Sequence, residues 1–339
     1  MLDRKLKTMK ILVTGASGHI GNNLIAEFIK KQYDVRILVR SEMPKYLAHF
    51  PLEVCQGDIL NLESLYQATR DIDTVFHLAA KIDITNRKEK EVRKTNIQGT
   101  QNVVNACLKN HVKKLVHFSS IHTLMQSSKK ANTAHILNEN CSLALESVNI
   151  YDQSKALAEK IVLDSCEQGL NAVVVNPTGV IGPNDYKLSL MGTAIIKIYK
   201  GYIPILVRGG FNFVDVRDVV QGAITAAEKG KSGERYILGG HDINMHQLVR
   251  LISIVRQKKM TRLFLPPSML NFVVPLMEFF SNITNTEPLF TKYSIETLMY
   301  PPTVDCTKAE NELGYKKTEI ETTIHDTLHW FSQRGKIKL

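Results

Sequence analysis

Tyr151 and Lys155 stand four positions apart in the run Tyr151-Asp152-Gln153-Ser154-Lys155. On a helix, positions i and i+4 lie one above the other, so this spacing sets an ammonium beside a phenol. A free tyrosine titrates at about pH 10 and is a poor proton donor or acceptor at neutral pH. Bringing it down by about 2–3 pH units takes roughly 3–4 kcal/mol of charge interaction, which cations held about 4–6 Å away can supply. Ser120 lies 31 residues earlier, at the end of an apolar run. Its hydroxyl could hold a carbonyl or alcohol oxygen against the phenol. Tyr-x-x-x-Lys alone is common on helix surfaces, so context has to decide.

That context begins with Thr14-Gly15-Ala16-Ser17-Gly18-His19-Ile20-Gly21, which follows a strand-like run and opens a helical one. Gly15 permits a tight turn, Gly18 lets backbone approach a pyrophosphate, and Gly21 lets helix and strand pack closely. The helix N-terminus offers unpaired N–H groups and a positive dipole end to phosphates. Three spaced glycines also occur in ordinary turns; the strand–turn–helix setting favours a dinucleotide. Its nicotinamide would then be a second cation beside Tyr151. The second strand ends Val39-Arg40-Ser41, with no acid to grip a ribose 2′-OH. An arginine there suits a 2′-phosphate, so NADP is expected, with NAD as the alternative. A solvent-facing strand-end arginine is the plainer reading, and Glu42 weighs against the phosphate. Asp58 could accept from an adenine amino group or simply cap the next helix.

The elements that would position these residues alternate along the first half. Strands are expected at 9–15, 34–40, 52–58, 74–79, 114–120 and 171–178. Helices are expected at 19–32, 61–70 (with Asn61 as N-cap), 89–110 and 151–168. Residues 121–150 read as a long loop. Such βαβ alternation implies an α/β fold, a doubly wound parallel sheet of the Rossmann type. After Gly179 the pattern turns irregular, with helices at 217–229, 245–257, 268–280 and 321–334 and a strand at 234–239. The expected division is a basic leader at 1–8, a nucleotide domain at 9–178, and a smaller C-terminal α/β substrate lobe at 179–339, with segments of it returning to the sheet.

The 339 residues carry 43 Lys+Arg against 33 Asp+Glu, a net charge of +10, and are 44% hydrophobic. This is a globular composition, not a disordered chain or a coiled-coil rod. The excess charge would suit nucleic acid, an anionic membrane surface or an anionic small molecule. Its densest run, Arg4–Lys10, reads as a solvated leader, and aromatics do not interleave with Arg or Lys, so no nucleic acid is expected. Five scattered cysteines without a CxxC pair suggest neither a disulfide framework nor a metal site, and fit a reducing cytoplasm. The most apolar stretch, Met269–Phe280, is too short to be a transmembrane segment and reads as buried helix, flap or peripheral membrane contact.

Together the motifs resemble the extended short-chain dehydrogenases/reductases, in particular their dihydroflavonol-reductase-like and epimerase/dehydratase-like members. The pieces carrying the likeness are TGASGHIG (14–21), GDI (57–59), FHLAA (76–80), TNIQGT (95–100), HFSS (117–120), YDQSK (151–155), NPTGVIGP (176–183), FVDVRDV (213–219), GERYILGG (233–240) and KAENELGY (308–315). The resemblance implies Tyr151 as acid/base, Lys155 as ribose-binding and pKa-lowering, and Ser120 as substrate-positioning. It places the cofactor against Gly15, Ser17, Gly18, His19, Ile20, Gly21, Asp58, Ile59, Leu78, Ala79, Ala80, Pro177 and Val180, with Asn96 supporting a water near Lys155. It also implies a homodimer through helices 89–110 and 151–168. Three departures matter. Asn176 stands where many members have Arg, the Asp-Glu pair of the dehydratases is replaced by Ile121-His122, and Arg40-Ser41 is unlike the epimerases. His122 reads as a pocket-lining or surface residue, and His77 as core.

The expectation is an NADP-dependent reductase of a small-molecule ketone or aldehyde, reversible toward the alcohol. Alternatives are a sugar-nucleotide epimerase and a non-catalytic nucleotide-binding protein.

Overall fold

A computed structural model describes residues 9–83, 86–124, 136–265, 298 and 301–339. The leader 1–8 and the apolar stretch 269–280, with its expected helix, lie outside the described residues.

The chain runs β1 (Lys10–Thr14), α1 (His19–Lys30), β2 (Asp34–Val39), β3 (Glu53–Gln56), α2 (Leu62–Ala68), β4 (Thr74–His77), α3 (Glu89–Arg93), α4 (Gly99–Lys109), β5 (Lys114–Phe118), β6 (Ile136–Leu137), α5 (Ile150–Glu167), β7 (Ala172–Pro177) and β8 (Gly179–Ile181). It continues through α6 (Leu190–Lys200), β9 (Ile205–Val207), β10 (Gly210–Asp215), α7 (Val216–Lys229), β11 (Arg235–Leu238), β12 (His241–Asn244), α8 (Met245–Arg256), β13 (Leu263–Leu265), β14 (Thr303–Val304), α9 (Thr307–Leu313) and α10 (Ile320–Gln333).

Seven strands form one parallel sheet in the order β3-β2-β1-β4-β5-β7-β11. Both of its faces are covered, which is why β1 reads as an unbroken apolar run rather than an alternation. Ile11 and Val13 point to the side packed by α1, α7 and α9, through Leu24, Phe28, Val219 and Leu313. Leu12 points to the other side, packed by α2, α4 and α5 through Leu65, Val103 and Val162. The strand order reverses direction at β1/β4, and open α/β sheets bind ligands at that crevice, outside the carboxyl ends of the strands.

β11 and α7 both come from beyond residue 179, and each packs into the large sheet's layers. The remaining lobe has its own core, built on α6, α8 and α10 through Ile195, Ile198, Leu248, Ile252, Ile324 and Leu328. It carries the small sheet β12-β10-β8 and the pair β9/β13. α6 was not expected from the sequence: Gly192 and a β-branched run lower its helix propensity. The Ser189 side chain caps it by accepting from Gly192 N at 3.0 Å.

The expected helix 89–110 is present but broken in register. A π-helical turn, Lys94–Gln98, joins α3 to α4. The expected loop 121–150 contains a 3₁₀ turn, Ile121–Leu124, and the short strand β6, which pairs with β14. Among the described residues, no helix is long and apolar enough to cross a membrane.

Candidate active site

The glycine turn takes the form its residues demand. Gly15 has φ +76°, and a Cβ there would meet the Ala79 backbone N at 2.7 Å. A Cβ on Gly21 would meet Gly15 O at 2.4 Å. Gly18 differs: a Cβ there meets only Gly15 O, at 3.3 Å, so its other side is open. Gly18 is also the N-cap of α1, with no side-chain cap and no acid in the first turn. The first N–H groups of α1 are thus left for an anion. This geometry fits a dinucleotide pyrophosphate.

Two further groups reach this turn from far along the chain. The Lys187 ammonium donates to Ser17 Oγ at 2.7 Å, and the Tyr46 hydroxyl donates to Ser17 O at 2.8 Å. The segment 183–187 is fastened to α1. His19 Nε2 lies 3.0 Å from Pro183 O, Asn22 Nδ2 donates to Asn184 O at 3.0 Å, and Asn23 Nδ2 donates to Pro183 O at 3.2 Å. Lys187 therefore adds a cation beside the turn, which no local spacing in the sequence signals.

Arg40 is exposed just beyond β2, and no ion pair or hydrogen bond holds its side chain among the described residues. Arg36, four residues earlier in the chain, is occupied: it pairs with Glu53 at 2.7 Å and donates to Ala68 O and Arg70 O. Asp58 Oδ1 accepts from Leu60 N at 2.9 Å, while Asn61 is the residue that caps α2. Ile59 is buried, and its carbonyl accepts from Asn102. Leu78, Ala79 and Ala80 follow β4 at its carboxyl end, and the Leu78–Ala79 backbone packs directly against Gly15. Pro177 ends β7, and Val180 lies in β8 beside Val214.

The proton-handling residues meet at the carboxyl end of β5. The Asn149 side chain starts α5 by accepting from Tyr151 N at 2.9 Å and Asp152 N at 3.3 Å. That cap fixes Tyr151 in the first turn and Lys155 in the second. Tyr151 hydrogen-bonds Ser120, which follows β5. Burial pushes the phenol up to about 12, Asp152 adds to the rise, and the Ser120 bond opposes it. Lys155, which the sequence sets beside the phenol together with the nicotinamide, is not among the groups that shift it here. Its ammonium donates to Phe118 O at 2.5 Å. Burial lowers Lys155 to about 8, and the Glu159 charge opposes that fall.

Glu159 is a residue the motif reading passed over. It sits one further turn along α5 and is wholly buried. Its Oε2 accepts from Ser119 Oγ at 2.5 Å, Thr123 Oγ1 at 2.8 Å and Asn176 Nδ2 at 2.9 Å. Its Oε1 lies 3.6 Å from Arg235 Nη1. The available signal was the i+4 spacing from Lys155. Asn176, the departure from the family's arginine, thus spends its amide inside this network.

Asn96 stands on the π-helical turn, where it receives Lys81 N at 2.8 Å and donates to Lys81 O at 3.0 Å and Ser154 Oγ at 2.9 Å. It braces the helix that carries Lys155 without touching the ammonium among its hydrogen bonds. His77 is core: its ring nitrogens meet Thr14 Oγ1 and Thr100 Oγ1, and burial lowers its pKa to about 3. His122 lies 3.5 Å from Asp152 and lines a small cavity with Thr178, Met191, Phe211, Pro301 and Val304. The Thr178 hydroxyl is buried without a partner among the described residues.

Comparison with known proteins agrees with this geometry. Residues 11–239 match the NAD dependent epimerase/dehydratase family. The chain is 29% identical to sterol demethylase protein B of Methylococcus capsulatus, covering 97% of this chain and 100% of that one. It is 29% identical to a putative dihydroflavonol 4-reductase of Synechocystis, covering 96% and 95%. The crystal structure of gox2253 superimposes with a TM-score of 0.82 at 30% identity, covering 97% and 99%. A glycine cradle at the sheet's switch point, a Ser–Tyr–Lys constellation at the end of β5 and a match over most of the chain have one reading. The chain belongs to the NAD-dependent epimerase/dehydratase family of extended short-chain dehydrogenases/reductases, whose members are NAD(P)-dependent enzymes.

Proposed function

We propose that the protein is an NADP-dependent reductase of a ketone or aldehyde carried on a bulky apolar molecule, working reversibly with the corresponding alcohol. The observation that carries this reading is Tyr151 hydrogen-bonded to Ser120, with no carboxylate pair after Ser120. A dehydratase needs an acid there to drive elimination, and Ile121-His122 supplies none. Names among the relatives, a sterol protein and a dihydroflavonol reductase, favour a ring-bearing substrate. The mainly apolar cavity around Met191, Phe211 and Val304 suits one, and Thr178 offers it a polar contact.

The nicotinamide, when bound, supplies the hydride. The chain's residues handle the oxygen. Ser120 orients it, and Tyr151 holds the proton it receives. A phenol as high as about 12 keeps that proton until a developing alkoxide takes it. Lys155 keeps positive charge beneath the site. The cradle at Gly15, Gly18 and Gly21 holds the pyrophosphate, Arg40 receives the 2′-phosphate, and Asp58, Ile59 and Leu78–Ala80 line the adenosine side. A homodimer through α4 and α5, and a cytosolic setting for the five unpaired thiols, complete the reading.

The test is a carbonyl screen read as NADPH consumption, with Tyr151→Phe alongside. The variant should lose about 10²–10⁴-fold in turnover and bind NADPH as before. Full activity in Tyr151→Phe, or substrate conversion without net NADPH oxidation, would refute the proposal. The second outcome would favour epimerisation.

A further inference from the structure

We propose that the C-terminal lobe docks on an anionic lipid surface through a face formed by the ends of α6 and α8 and the β9/β13 pair. The sequence has no Asp or Glu between Asp185 and Asp215, nor between Asp242 and Glu278. The described residues of these two stretches are neighbours in space. β9 pairs with β13 so that Ile205 faces Leu263. Arg262 donates to Ile198 O at 2.8 Å, and Arg256 lies over the Tyr199 ring at 5.2 Å.

Their outer surface is apolar as well as cationic. Tyr202 is 71% exposed, Leu263 and Ile254 61%, and Ile205 45%. Arg250 and Ile254 stand at helical i+4 spacing on the outside of α8, and Lys258 and Lys259 follow directly after its C-cap Gln257. Lys200 is within 6.0 Å of the Tyr202 ring. Lys200, Arg208, Arg250, Lys258 and Lys259 are exposed and form no ion pair among the described residues. This face therefore accounts for much of the chain's excess charge, which a bound dinucleotide leaves unexplained.

The combination selects the partner. Exposed aliphatic and aromatic side chains, with unpaired Lys and Arg on the same elements and beside their ends, match a bilayer interface, where apolar groups enter the headgroup boundary and cations meet anionic lipid. A nucleic-acid site would use the cations but leave Ile205, Ile254 and Leu263 without a role.

The experiment is co-sedimentation of the full chain with vesicles of phosphatidylcholine alone, and with vesicles containing 30% phosphatidylglycerol. Binding should require the anionic lipid and weaken with salt. Lys258→Glu/Lys259→Glu should lower the partition coefficient by about 30-fold or more, from the attraction of each lysine to an anionic leaflet. Leu263→Ser should lower it at every salt concentration with an unchanged Tm. Four results overturn the proposal: equal binding to both vesicle types, or none; retention of a DNA duplex without vesicle binding; a dimer that Leu263→Ser dissociates; or a Leu263→Ser Tm several degrees lower, which would place the face inside the folded chain.

Discussion

Glu159→Gln tests whether the buried carboxylate sets the charge on Lys155. The amide keeps the shape and one oxygen for the Ser119, Thr123 and Asn176 donors, and it removes the charge. Neighbours at i and i+4 lie about 6 Å apart, so at an effective dielectric of about 20 the lost attraction is about 3 kcal/mol. Tenfold per 1.4 kcal/mol then takes Lys155 from about 8 in the native protein to about 6 in the variant. If activity needs the ammonium, kcat/KM falls as pH rises through that value, and this parameter reports groups of the free enzyme. Glu159→Gln should therefore lose about 20-fold at pH 7.5 and less than about twofold at pH 5.5. The assay is NADPH oxidation over pH 5–9, with circular dichroism and Tm for the fold. Removing one partner of a buried pair also strands Arg235, so Tm should drop. A profile whose basic limb stays in place while kcat falls evenly at all pH values would refute the reasoning. Glu159 would then be architectural only.

Arg40→Glu should weaken NADPH binding by about 10–100-fold, the worth of a charge-assisted hydrogen bond, while NADH binding changes little; isothermal titration with both cofactors reads this. Gly15→Ala forces a Cβ against Ala79 N at 2.7 Å with φ at +76°, so both Tm and cofactor affinity should fall. Lys155 also predicts a pH dependence of stability. Its folded pKa lies below that of the unfolded chain, so between about pH 8 and 10.5 the unfolded state binds the extra proton and stability rises with pH, by at most about 3 kcal/mol. The buried thiols Cys107 and Cys306, pushed up to about 12 and about 11, work the other way above about pH 9, so the measure is the wild-type urea midpoint minus that of Lys155→Met, a difference that should grow with pH across that range.

Local features were legible from the sequence because their causes are local. The apolar run Ile11–Val13 reads as strand because both sheet faces are covered. Gly15, Gly18 and Gly21 need their identity for backbone approach, and Asn61 caps the helix it precedes. Tyr151 and Lys155 share a helix face by spacing alone. Their setting after a dinucleotide-type turn, with Ser120 ending a strand, already indicated the family. α6 escaped notice because its stability comes from burying Ile195 and Ile198 in the lobe core, not from propensity.

What tertiary structure alone decided is which charges meet. Lys187 reaches Ser17 across 170 residues, and Arg235 closes on Glu159 from a strand added at the sheet's far edge. It also decided the electrostatic state of the site. Burial raises Tyr151 and lowers Lys155, so the spacing that pairs them along the helix does not by itself fix their charge states. Spacing along a helix specifies which groups are neighbours. Only the packed surroundings determine how much water each loses, and desolvation is here the larger effect.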